Sequence, residues 1–243
     1  MSLLWIAGGA GVCALAYTVG AQAAARAGGA VRRGPAVMRV ALTFDDGPHP
    51  ECTPRFLQTL ARYGVRATFF LIGQHAEEAP DVARAIGQAG HDVGSHTYRH
   101  RHLWRLGPRA TREEIARGRR AVERTAGVDP RYFRPPWGTF NAAALRACRA
   151  EGLIPVLWTV RGEGYRWRPA ASEMAREVVR RCHPGAIVNL HDRGGFPDTP
   201  ERVLGALPEI IAGLRARGLE PVTLSDLLAS ECSGRESGVE HPG

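Results

Sequence analysis

Between residues 38 and 216 a strand-like run followed by a stretch of helical period recurs six times. This alternation constrains the fold more than any other feature. The strand-like runs are "RVALTF", "ATFFLIG", "HDVGSH", "YFRPPWG", "LIPVLWTV" and "GAIVNLHD"; "EPVTLSDLL" reads as a last strand and turn. The helical stretches are "PRFLQTLARYG", "DVARAIGQAG", "TREEIARGRRAVERTAG", "NAAALRACRAEG", "SEMAREVVRRC" and "TPERVLGALPEIIAGLRARG". Gly64, Gly90, Gly127 and Gly152 stop four of them. Thr111 and Glu114 have capping-box spacing, Asn141 reads as an N-cap, and Pro200 suits a first helical position. Strands this apolar are buried on both faces. The chain is therefore α/β with a mainly parallel sheet, open or closed into a barrel, in a single domain spanning about residues 37–230.

The formal net charge of +8 invites a nucleic-acid reading. However, all 32 basic residues are arginine, and acidic residues interleave with them, as in "TREEIARGRRAVER". That pattern describes a solvated charged surface, so no nucleic-acid partner is expected. The absence of lysine excludes Schiff-base and phosphate-loop lysine chemistry. The five cysteines show no metal-type pair spacing and read as small buried hydrophobes, with room for one disulfide in an exported chain.

The first 25 residues, "MSLLWIAGGAGVCALAYTVGAQAAA", carry no charged side chain. Residues 1–30 are expected to be a membrane anchor, with residues 3–22 as the spanning stretch, or an export signal cleaved near "AQA" at 21–23. Arg26, Arg32 and Arg33 follow the apolar run and favour the opposite orientation, with the domain inside. Residues 231–243 are polar and expected to be disordered.

The informative polar residues fall at strand ends. Asp45 and Asp46 end the first strand, His96 and His100 follow the third, Arg134 ends the fourth, and His191 and Asp192 end the sixth. Sites in parallel α/β folds form at that edge. Neighbouring strand residues point to opposite faces, so Asp45 and Asp46 can share a site only where Gly47-Pro48 breaks the strand. His96 and His100, four apart, could reach one ion from a helical turn. With one carboxylate they form a two-histidine, one-aspartate set that leaves positions open for water.

With these motifs in that order, the chain resembles the polysaccharide deacetylase family, the NodB homology domain of carbohydrate esterase family 4. "TFDDGP" (43–48), "SHTYRH" (95–100), "RPPWG" (134–138) and "NLHD" (189–192) carry the likeness. The resemblance implies a distorted (β/α) barrel, usually of seven strands. It implies a metal-dependent hydrolase that removes N-acetyl groups from a glycan such as peptidoglycan or an N-acetylglucosamine polymer. Asp46, His96 and His100 would hold a divalent metal, commonly zinc in this family. Asp45 would be the general base, positioned by Arg134, and His191 the general acid. Leu190 would line the pocket for the acetyl methyl, and Trp137 would wall the substrate groove. An envelope location follows from such a substrate, and no protein partner is implied.

One segment departs from the family. Its usual Asp-x-x-Asp-Trp motif, whose first aspartate orients the acid histidine, is here "RGEGY" at 161–165. Arg161 stands at the first aspartate position, with Glu163 as a conceivable substitute. This predicts a weaker or differently organised acid step, with a cation lowering the pKa of His191. It keeps open an O-acetyl esterase or amino-sugar deformylase with the same site, and a glycan-binding module without activity.

Overall fold

The computed structural model describes residues 13–163, 169–195 and 198–229. Residues 1–12, Gly164, Tyr165, Cys232 and the tail 231–243 lie outside the described residues.

Among the described residues eight strands, all paired in parallel, form one sheet: β1 (Arg39–Asp45), β2 (Thr68–Leu71), β3 (Asp92–Ser95), β4 (Tyr132–Phe133), β5 (Ile154–Pro155), β6 (Val160–Arg161), β7 (Ile187–His191) and β8 (Glu220–Val222). Seven follow the path β5-β4-β3-β2-β1-β7-β6, the distorted (β/α) barrel expected. The eighth, β8, pairs with Arg39–Ala41 of β1, whereas β2 pairs with Thr43–Asp45. The two strands thus divide the length of one β1 edge between them.

Helices α1 (Cys52–Arg62), α2 (Gly73–Glu78), α3 (Pro80–Gln88), α4 (Pro108–Ala126), α5 (Ala142–Ala150), α6 (Ala171–Arg181), α7 (Thr199–Ala216) and α8 (Leu224–Ala229) complete the domain. Asn141 caps α5 as expected, its side chain accepting from Ala144 N at 2.9 Å. The capping box at Thr111 does not form, because Pro108 starts α4 one turn earlier. Thr111 Oγ1 instead accepts from Asn141 Nδ2 (2.9 Å), and Glu114 Oε2 accepts from the Arg99 backbone N–H (2.9 Å).

The two-residue period of the strands separates two interiors. Val40, Leu42 and Phe44 of β1, with Val188 and Leu190 of β7, join the large core beneath the helices. Ala41 and Ile187 face inward with Phe70, Tyr132, Val156, Leu224 and Leu227, which fill the lower barrel. The inward positions one step higher are polar: Thr43, Asp45, Asn189 and His191. This polar edge is therefore the top layer of a barrel filled with hydrocarbon below.

Residues 16–27 are helical and lie against this domain, with Gly28 (φ 133°) breaking the helix. Tyr17 Oη donates to Leu106 O (3.1 Å). Gln22 Nε2 donates to Gly138 O (3.0 Å), and Gln22 Oε1 accepts from Phe140 N (2.7 Å). Ala25 is fully buried with Leu103 and Phe140, and Val31 forms a parallel bridge to Val156. Among the described residues no helix is long and apolar enough to cross a membrane. The four described cysteines, Cys13, Cys52, Cys148 and Cys182, are free.

Candidate active site

A cavity of about 510 Å³ opens at the C-terminal strand edge. Asp45, Asp46, His96, His100, Trp137 and His191 all line it. Asp45 reaches it from the last inward position of β1, paired across the sheet with His191 of β7. Asp46 reaches it because its backbone is left-handed (φ 72°), which turns the chain out of the strand and brings the second carboxylate back to the same side. Thr97, His100 and Trp137 also have positive φ. Such conformations cost about 1–3 kcal/mol each in non-glycine residues and cluster at functional sites.

The two histidines are brought together by an irregular loop, not by the helical turn expected. Thr97 (φ 67°) and His100 (φ 54°) bend residues 96–100 until the imidazole centroids lie 5.0 Å apart. Asp46 Oδ1 lies 3.3 Å from His96 Nε2 and 3.1 Å from His100 Nε2. Four-coordinate bonds of about 2.1 Å separate neighbouring ligand atoms by roughly 3.4 Å, so the three atoms are spaced for one ion. Asp46 Oδ1 is buried and makes no hydrogen bond among the described residues, as befits an atom reserved for a cation. His96 Nδ1 donates to Arg134 O (2.6 Å), which fixes the ring with Nε2 free as a ligand. Burial pushes the Asp46 carboxyl pKa up, but His100, His96 and His191 more than offset this and hold it well below the usual range.

Arg134 is completely buried beneath Asp45. Its Nη1 donates to Asp45 Oδ1 (2.7 Å) and Thr43 Oγ1 (2.7 Å), and its Nη2 donates to Leu157 O (3.1 Å). Its guanidinium carbon lies 4.1 Å from the centroid of the Phe70 ring. Asn189 Nδ2 donates to Asp45 Oδ2 (2.7 Å). Each Asp45 oxygen thus has one fixed donor and keeps lone pairs for a further partner. The sequence reading passed over Asn189, although a lone amide in an apolar strand, two positions before His191, signals a shared inward face.

The sequence model described as polysaccharide deacetylase matches residues 33–156. The chain belongs to the polysaccharide deacetylase family. It is 33% identical to a peptidoglycan-N-acetylglucosamine deacetylase of Bacillus cereus, covering 77% of this chain and 67% of that one. It is 35% identical to a chitooligosaccharide deacetylase of Bradyrhizobium sp., covering 74% of this chain and 86% of that one. Among solved structures, the Bc1960 peptidoglycan N-acetylglucosamine deacetylase superposes with a TM-score of 0.77 at 32% identity, covering 83% and 93%. A family 4 pseudoenzyme from Bacillus anthracis superposes at 0.74 and 30% identity, covering 81% and 68%.

In this family member Leu190 and the segment around Arg161 lie differently from expectation. Leu190 alternates with Asn189 and His191 on β7, so it points into the helix-covered core, is fully buried there, and does not line the cavity. Trp137 is 43% exposed at the rim, and its ring packs 4.4 Å from His100 and 5.1 Å from His102. Arg161 and Glu163 both line the cavity. Glu163 Oε2 lies 3.0 Å from His191 Nδ1, and Glu163 Oε1 accepts from His191 N at 3.1 Å. Burial pulls the His191 pKa down, but the Glu163 charge and hydrogen bond outweigh it and raise it to about 9, with Asp46 and Asp45 adding. The lowering expected from Arg161 is therefore overturned by the Glu163 carboxylate.

Three other histidines play supporting parts. His91 Nδ1 accepts from Ala67 N (3.0 Å) at the entry to β2. His102 caps the turn at Trp104. His75, which the sequence reading did not single out, lines the cavity and donates from Nδ1 to Asp46 O (2.8 Å).

Proposed function

We propose that this chain is a metal-dependent hydrolase that removes N-acetyl groups from a glycan such as peptidoglycan or an N-acetylglucosamine polymer. The observation that carries the reading is the convergence of a three-ligand set, a fixed carboxylate and a fixed imidazole in one cavity. Asp46, His96 and His100 would hold the divalent cation, with zinc suited to two imidazoles and a carboxylate. Such an ion supplies Lewis-acid chemistry, lowering the pKa of water towards 7 and polarising a carbonyl.

Asp45 is the general base. Arg134 and Asn189 orient its carboxylate, and it takes a proton from the attacking water. The water oxygen adds to the acetyl carbon. His191 gives its Nε2 proton to the amide nitrogen as the C–N bond breaks, and the products are acetate and a free amine. Each acid or base contribution is worth about 10²- to 10⁴-fold. Trp137 borders the groove for the sugar chain. A glycan substrate of the envelope places the domain outside the cytoplasm, anchored or secreted through its N-terminal segment.

The family fold also occurs in a pseudoenzyme, so a glycan-binding role without turnover is the second reading. Acetate release from N-acetylglucosamine oligomers and from peptidoglycan, by the full chain loaded with zinc, separates the two. Release that disappears in Asp46→Ala supports the hydrolase. Stoichiometric zinc with glycan binding and no acetate refutes it.

A further inference from the structure

We infer that Glu163 is the positioning residue of the acid His191 and that it keeps this site competent for amides as well as esters. The inference rests on the reading of His191 as the acid.

The geometry is specific. Both carboxylate oxygens of Glu163 bind one residue, Oε1 at the backbone N–H and Oε2 at Nδ1 of His191. A carboxylate accepts and cannot donate once ionised, so it selects the form of the ring with hydrogen on Nδ1. Nε2 is then the remaining ring nitrogen, and His191 lines the cavity. The backbone contact matters because it ties the carboxylate to the strand as well as to the ring. The imidazole is fixed in rotation and in its height above β7. Glu163 is itself only 9% exposed, which strengthens the contact by excluding water.

The chain is shaped to deliver this carboxylate. Gly162 N donates to Asn189 O (3.0 Å), which extends the β6–β7 pairing one residue beyond β6. A Cβ on Gly162 would stand 2.3 Å from Leu190 Cδ2. Glycine at 162 lets β6 press this closely on β7, and a larger residue would have to push Leu190 aside. That close approach lets a glutamate two positions beyond Arg161 reach the His191 backbone and ring together.

The consequence is chemical selectivity. An amine leaves as a neutral group only if it is protonated while the C–N bond breaks, whereas 4-nitrophenolate departs unprotonated. Loss of Glu163 should damage amide hydrolysis and spare hydrolysis of an activated ester. A purely structural role would reduce both together.

The test measures kcat/KM for acetate release from N-acetylglucosamine oligomers and for 4-nitrophenyl acetate, in zinc-loaded full-length wild type, Glu163→Gln, Glu163→Ala and Glu163→Asp. The ratio of the two rates is independent of the fraction of each variant that folds. Expected is a fall of the amide-to-ester ratio by roughly 10²-fold in Glu163→Gln and Glu163→Ala, within the usual range for an acid step. Glu163→Asp should recover part of it. An unchanged ratio in Glu163→Gln and Glu163→Ala overturns the inference even where absolute rates fall. Absence of acetate release in the wild type would instead overturn the functional reading on which it rests.

Discussion

Replacing Arg134 by methionine should be the most damaging single change that leaves the metal ligands in place. The guanidinium is fully buried and donates to Asp45, Thr43 and the carbonyl of Leu157. Methionine fills part of the volume but leaves Asp45, 4% exposed at its side chain, without its counter-charge. Breaking a buried ion pair on one side costs about 3–5 kcal/mol. A count of lost bonds agrees: the charged contact is worth about 1.5–3 kcal/mol, and each of the other two about 1 kcal/mol. For a chain of this size 1 kcal/mol shifts Tm by about 2–4 °C, so a fall of roughly 6–20 °C is expected. The assay is denaturant and thermal unfolding of Arg134→Met, Asp45→Asn and the double variant. The double variant should lose at least about 1 kcal/mol less than the sum of the singles, because neutralising Asp45 removes the orphaned charge. Strict additivity, or a loss below about 1 kcal/mol in Arg134→Met, would show that Asp45 does not depend on this arginine.

Three further outcomes follow from buried groups. Asp192 is fully buried, and burial, only partly offset by its hydrogen bond from Thr53, raises its pKa to about 7. Its unfolded pKa is lower, so the folded state holds more protons and stability falls as pH rises from about 4 through 7. Asp192→Asn should therefore gain stability over wild type at pH 8 and little at pH 4; an equal difference at both pH values, read by denaturant titration, would contradict this. His91 is the opposite case: burial lowers its pKa to about 4, so its contribution is present above the unfolded value near 6.5 and is lost as pH falls towards 4. A variant such as His91→Asn should flatten the acid limb of the stability curve between those values, and an unaltered limb would refute the assignment. Gly162→Ala should cost about 1–3 kcal/mol through overpacking against Leu190 and lower amide turnover by displacing Glu163; wild-type amide turnover would remove the proposed role of glycine there.

The sequence revealed the barrel because its main strands are continuous apolar runs and its helices carry glycine stops at Gly64, Gly127 and Gly152, all left-handed in the structure. It revealed less about strands β4, β5 and β6, which have two residues each and leave no period to read. Where the site was legible, polar residues interrupted apolar strands, as at Asp45 and His191. Leu190 was misplaced although the rule that places it was at hand: a residue adjacent to His191 in a regular strand faces away from it. The meeting of His96 and His100 was anticipated, but by the wrong geometry, since left-handed backbone at Thr97 and His100 has no strong signature outside glycine. Glu163 could be flagged but not assigned. Its reach depends on how closely β6 approaches β7, a tertiary distance that one sequence does not spell out.

The helical segment before the barrel holds the loop that carries Trp137. Gln22 grips that loop from both sides, at Gly138 O and Phe140 N, and Tyr17 ties down the carbonyl of Leu106. Cleavage after the "AQA" at 21–23 would discard both clamps while leaving every proposed catalytic side chain in place. Maturation and substrate choice would then be one event: the trimmed and untrimmed chains would run the same chemistry behind two different mouths, and an assay on either would describe only that form.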